Sequence, residues 1–254
     1  MGRFNDFIKS VSPCDPSLPL LHTCDGYHFR NIVEAQELRT SPCKVFVGEN
    51  LLYFFYGRPS YRTAKDLKAS TLLAYFPVSI VLKSDSVPMP KRIAPFDTGA
   101  FENEKFSEHM HPGMRREDFL LEPTPDMPKR LVSRFYGSNT AYFSGKPQTI
   151  AIPPMEFEAT SYYSLISSKN TSSSDDRNSA IEIQSETNLV LDSSKVILIV
   201  LPTSFMDDPG VNNRILSDWK CDFRIYETYR SNPNEYIMSI YDEVAKYLLS
   251  KSYL

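Results

Sequence analysis

Apolar positions in this chain fall mostly into short β-branched and aromatic blocks, separated by turns rich in proline, serine and charge. Such blocks predict strands. "LPLLHTC" over Leu18–Cys24, "CKVFV" over Cys43–Val47 and "NLLYFFY" over Asn50–Tyr56 read this way. So does "LLAYFPVSIVLK", where Pro77 forces an edge position or a break because proline donates nothing to a ladder. "TIAIP" resumes strand character, "AIEIQ" places Glu182 mid-strand, and "KVILIVLP" has the unbroken apolarity of a buried strand. "DFRIYETY" closes the strand series.

Helical spacing is rarer. Phe29, Ile32 and Val33 predict a helix over Tyr27–Gln36, and Ile237, Ile240, Tyr241, Val244 and Leu248 share one face near the C-terminus. The segment Ser84–Gln148 is dense in proline and charge; it reads as a loop-rich insertion with one short helix around Arg115–Leu121. Residues 1–19 read as a polar leader, and Ser164–Ser179, "SLISSKNTSSSDDRNS", as a flexible surface loop. The pattern predicts one mixed α+β domain spanning the chain's 254 residues.

Composition narrows the function classes. The formal net charge of −3 supplies no global basic field, so a nucleic acid would have to meet a local patch. "MGRFNDFIKS" lacks the apolar core of a signal peptide, and Val196–Leu201 is too short to span a bilayer, so a cytoplasmic protein is expected. The cysteines Cys14, Cys24, Cys43 and Cys221 contain no CxxC pair, which argues for reduced thiols and against zinc.

Three segments carry candidate chemistry. His22 stands late in a short apolar strand, where it serves either as a core histidine or as a hydrogen-bonding partner for a polar ligand. Glu182, between Ile181 and Ile183, faces away from both, toward solvent or into a cleft. In "NLLYFFYGRPSYR", Gly57 allows a sharp turn and Pro59 stops the strand. Arg58 is thereby displayed at the exit, where a guanidinium suits phosphate. Tyr53 and Tyr56 offer faces for stacking on a ring.

Taken together, "H-T" on a strand followed by a helix, then "LLYFFYGRP", then "I-E-I" after a polar loop, resemble the ADP-ribosyltransferase superfamily. The aromatic strand is most similar to that of the DarT-type enzymes, which modify DNA bases. The resemblance covers roughly Leu20–Arg62 and Ala180–Pro202. It implies a split, mostly antiparallel sheet with flanking helices around an NAD cleft, with NAD consumed as substrate and no metal required. His22 and Thr23 would bond the nicotinamide-side ribose, Tyr53 or Tyr56 would stack on nicotinamide, and Arg58, or else Arg62, would contact pyrophosphate or assist the target's attack. Glu182 would polarise the ribose 2′-hydroxyl and stabilise the oxocarbenium-like transition state. The acceptor would be a macromolecule, nucleic acid or protein, with a toxin or defence effector as the setting. Plain NAD hydrolysis and a non-catalytic nucleotide- or partner-binding cleft are the alternatives.

Two other motifs stand beside this reading. "APFDTGAF" contains Asp97-Thr98-Gly99, the tripeptide around the catalytic aspartate of aspartic proteases. One copy would act only in a homodimer, because that chemistry needs two facing carboxylates, and Asp-Thr-Gly is also ordinary turn chemistry. "EHMHPGM" sets His109 and His111 beside Glu108 but offers no third well-spaced ligand.

Overall fold

The computed structural model describes residues 2–61, 68–168 and 176–254. Ten strands occur among them: β1 (Leu20–Asp25), β2 (Glu37–Leu38), β3 (Ser41–Pro42), β4 (Asn50–Tyr56), β5 (Pro77–Leu82), β6 (Arg92–Ala94), β7 (Glu182–Ser185), β8 (Leu189–Val190), β9 (Val196–Pro202) and β10 (Asp222–Tyr226). The main sheet runs β10-β9-β5-β1-β4-β7-β6, with β3 on β4 and a separate β2-β8 pair. All its pairings are antiparallel except β10 with β9. The fold class is therefore α+β with a mostly antiparallel sheet.

The sheet is split at its centre. β1 pairs with β4 only through Leu20↔Tyr56 and Leu21↔Phe55. Beyond Leu21 the rest of β1 stays on β5, matched residue for residue to Asp25↔Pro77, while β4 stays on β7. The fork between them is spanned by a side chain: the His22 Nδ1 lies 2.9 Å from the Tyr53 carbonyl oxygen.

Helices cover both faces: α1 (Arg3–Lys9), α2 (Gly26–Ala35), α3 (Thr98–Glu102), α4 (Asp126–Phe135), α5 (Asn139–Phe143), α6 (Phe157–Ser167), α7 (Pro209–Asn213) and α8 (Ile237–Ser250). On one face α8 lays Ile237, Ile240, Val244 and Leu248 against Leu21, Val81, Leu198 and Val200. On the other, α1, α4 and α6 meet through rings: Phe4 sits 5.5 Å from Phe119, 6.2 Å from Phe135 and 5.6 Å from Tyr162 between centroids. Burying rings of this size supplies most of a core's hydrophobic stabilisation. None of the helices described is long and apolar enough to cross a membrane.

Several sequence expectations change. Residues 1–19 begin with a packed helix, since Phe4 and Ile8 repeat at helical spacing and are fully buried. Cys43–Val47 and Thr149–Pro153 form no strand. Of the two alternatives at Pro77 the break occurs: Leu73–Tyr75 is a 3₁₀ turn, and Pro77 opens β5 in the middle of the sheet, where the first residue owes the ladder no donor. Ser84–Gln148 keeps long irregular stretches but is packed into the fold. It contributes β6, α3, α4 and α5, and it buries Phe96, Phe119, Leu131, Phe135 and Tyr142 completely. Its expected helix at Arg115–Leu121 is a single 3₁₀ turn, Arg116–Phe119. Ser164–Ser167 belongs to α6, and much of the expected serine-rich loop lies outside the described residues.

Candidate active site

Register decides which residues of β4 and β7 can meet. Tyr53 stands opposite Gln184 and Phe55 opposite Glu182. Residues directly opposite share a face, and alternate residues change face. Tyr53, Phe55, Glu182 and Gln184 therefore point one way, and Leu52, Phe54, Tyr56 and Ile183 the other. Tyr53, Phe55 and Glu182 of the first set open onto a cleft of about 400 Å³, which His22, Thr23 and Asp97 also line. A second cavity of about 770 Å³ adjoins it, sharing His22, Thr23 and Tyr53 and extending along α2 to Asn31 and Arg39.

Glu182 is 3% exposed yet fully bonded. Its Oε1 accepts from the Thr98 hydroxyl at 2.8 Å and from Gln184 Nε2 at 2.6 Å, and its Oε2 accepts from the Thr98 N–H at 3.3 Å. Burial pushes its pKa up to about 7; the negative charge of Asp97 adds to the rise, and the bonds from Gln184 and Thr98 oppose it. The carboxyl thus changes charge near neutral pH while its geometry is held from three donors.

His22 is held in one tautomer. A carbonyl oxygen only accepts, so Nδ1 carries the proton donated to Tyr53 and Nε2 is left as an acceptor. Desolvation lowers its pKa, which keeps the ring neutral. Thr23, opposite Ser79 on β5, exchanges a 3.0 Å hydroxyl bond with it. The Tyr53 hydroxyl shares a 2.8 Å bond with the Cys43 thiol, whose sulfur also accepts from the Val45 and Phe46 N–H groups. Burial, then the Cys43 bond, raises the Tyr53 pKa, so its phenol stays protonated.

Two expected ligand contacts are placed elsewhere. Tyr56 takes the opposite parity to Tyr53. It is 2% exposed, accepts from the Leu18 N–H at 2.9 Å and belongs to the core. Arg58 does not line the cleft. Gly57, at φ +69° and pressed so close to Leu18 that a Cβ would clash, turns the chain inward. Arg58, 4% exposed, instead borders a different cavity of about 550 Å³ together with Asp176, Ser179 and Tyr241. Its Nη1 donates to Ser179 at 2.8 Å, its Nε lies 3.2 Å from Asp176, and its guanidinium stacks over Tyr142 at 5.3 Å. Asp176 also accepts from Ser60 and Tyr241. The alternative, Arg62, lies outside the described residues.

Sequence reasoning missed Phe55 and Thr98. Parity along β4 would have given Phe55. Thr98 is invisible to local pattern because its partner lies 84 residues away. The Asp-Thr-Gly tripeptide forms a helix start: Asp97 Oδ1 caps α3 by accepting from the Ala100 N–H at 2.7 Å, and Arg177 Nη1 stands 3.4 Å from Oδ2. His109 and His111 turn to separate partners, Ser164 and the Gly113 N–H. Among the described residues no cluster of His, Cys, Asp and Glu could hold a metal ion.

Compared with known proteins, the chain matches no family model and no curated protein.

Proposed function

We propose that this protein is an NAD-dependent ADP-ribosyltransferase of the α+β, split-sheet type, with Glu182 as its catalytic carboxylate. The observation that carries the reading is convergence. His22 and Thr23 on β1, Tyr53 on β4 and Glu182 on β7, spread over 160 positions of sequence, line one cleft at the fork of the sheet. That cleft and its neighbour each lie in the size range of small-molecule sites. In this reading NAD lies along the fork with its nicotinamide ribose over Glu182. Tyr53 and Phe55 flank the nicotinamide, and the His22 Nε2 accepts from a ribose hydroxyl. A fixed anion beside C1′ stabilises the cation that develops as nicotinamide leaves. The acceptor is a nucleic acid or a protein, in a cytoplasmic toxin or defence role.

The test is nicotinamide release from NAD by wild type and Glu182→Gln. Loss on the order of 10²-fold or more in the variant is expected, the scale of removing one preorganised electrostatic group. Equal release would remove Glu182 from the chemistry.

The burial of Arg58 favours a second reading, because a cleft without that cation has weaker hold on pyrophosphate. It is a non-catalytic nucleotide-binding cleft on the same fold. NAD binding by wild type without any release would support it.

A further inference from the structure

The Asp-Thr-Gly segment places a second carboxylate in the cleft, and the proposed reaction gives it work. Glu182 has its oxygens engaged by Thr98 and Gln184, so it is fixed where it stands. Asp97 is less enclosed. Its Oδ1 is committed to the start of α3, while Oδ2 has, among the described residues, one long bond, from Arg177 Nη1 at 3.4 Å. Both carboxyls line the same cleft, and Thr98 joins them, following Asp97 in the chain and bonding Glu182 in space. Two carboxyls in one site with different surroundings divide their roles: one is held for charge, the other is free to move a proton.

We propose that Asp97 is the proton acceptor for the incoming nucleophile. The inference rests on the transferase reading. The bond between C1′ and the nicotinamide nitrogen breaks, and its electron pair leaves with neutral nicotinamide. The acceptor's O–H or N–H atom, or water, gives a lone pair to C1′. Its proton passes to Asp97 Oδ2, which ends as a neutral carboxyl and returns the proton to solvent. Arg177 Nη1 stands 3.4 Å from that oxygen. Glu182 keeps its charge beside the ribose throughout.

The test uses NAD with and without sodium azide, an anion that attacks C1′ with no proton to lose. Asp97→Asn retains an oxygen that caps α3 but accepts no proton, and Asp97→Ser, also a good cap, serves as a second variant. A thermal melt checks that both fold. Both variants are expected to release nicotinamide in water on the order of 10²-fold more slowly than wild type, the range of a general base. Azide is expected to restore release and yield ADP-ribosyl azide, while Glu182→Gln gains nothing from it. Wild-type rates in the Asp97 variants, or a loss that azide does not relieve, would overturn the proposal. Wild type that turns over NAD with neither water nor azide, or turnover indifferent to Glu182→Gln, would overturn the transferase reading itself and the Asp97 role with it.

Discussion

Thr98 grips both carboxylate oxygens of Glu182, its hydroxyl on Oε1 at 2.8 Å and its main-chain N–H on Oε2 at 3.3 Å. The N–H is available because Thr98 is the first residue of α3, and the early N–H groups of a helix have no partner within it. A helix start therefore serves as the clamp for a strand residue far away in sequence. It also explains how a carboxyl can be almost wholly buried with no cation bonded to it among the described residues: three donors replace the water it has lost.

Replacing Thr98 by Val keeps the β-branched shape and the main-chain N–H but deletes the hydroxyl donor. The hydroxyl bond is one of the influences that lower the Glu182 pKa, so its loss raises that pKa further. If ionised Glu182 is the catalytic form, the pH profile of nicotinamide release in Thr98→Val has its rising limb displaced to higher pH. The stability cost is about 1 kcal/mol, a single net hydrogen bond, because Gln184 still bonds Oε1. A limb that does not move would show that the hydroxyl has no hold on the carboxyl's charge.

The same pKa makes stability and activity run in opposite directions with pH. The folded-state pKa of Glu182, about 7, lies above the unfolded value of about 4.3. Its contribution to stability is therefore fully present below the unfolded value and lost as pH rises through the folded one. Activity that needs the anion rises over the same interval. Glu182→Gln removes the titration and the activity together. Urea midpoints at pH 5 and pH 8 should show the variant gaining on wild type at the higher pH. A wild-type-minus-variant difference that is flat between those values would mean that Glu182 is not buried as a neutral acid.

Much of the fold was written in local pattern. Unbroken β-branched runs gave β9, the aromatic run gave β4, and the apolar stripe of α8 was readable from its spacing. What escaped was decided by distant partners. Phe4 and Ile8 of α1 sit in a stretch that looks like a polar leader until Phe119, Phe135 and Tyr162 cover them. The helices between Ser84 and Gln148 are short or start behind prolines, so their periodicity has no length in which to show. The site was half legible. His22, Thr23, Tyr53 and Glu182 were named from sequence and line one cleft, and period-two alternation alone would have separated Tyr53 from Tyr56. Arg58 was misplaced because the turn at Gly57 determines where the next side chain goes, and a glycine in sequence does not state the direction of its turn.

Arg58 gives a prediction that separates a structural arginine from a ligand-binding one. Its guanidinium is paired with Asp176, bonded to Ser179 and stacked on Tyr142 inside the protein. Removing one partner of a buried pair strands the other, which costs about 3–5 kcal/mol. Asp176 keeps some access to water, with 19% of its side chain exposed, so the lower end applies to Arg58→Ala. At roughly 2–4 °C per kcal/mol for a chain of this size, the melting temperature should fall by about 10 °C. Asp176→Asn in the same background relieves the stranded charge and should recover part of that loss. The affinity of the folded fraction for NAD should stay within about threefold of wild type, far less than the loss of a charge-assisted phosphate contact would cause. An arginine that grips pyrophosphate gives the reverse pattern, with a large rise in the NAD dissociation constant and little change in melting. That pattern would return Arg58 to the site.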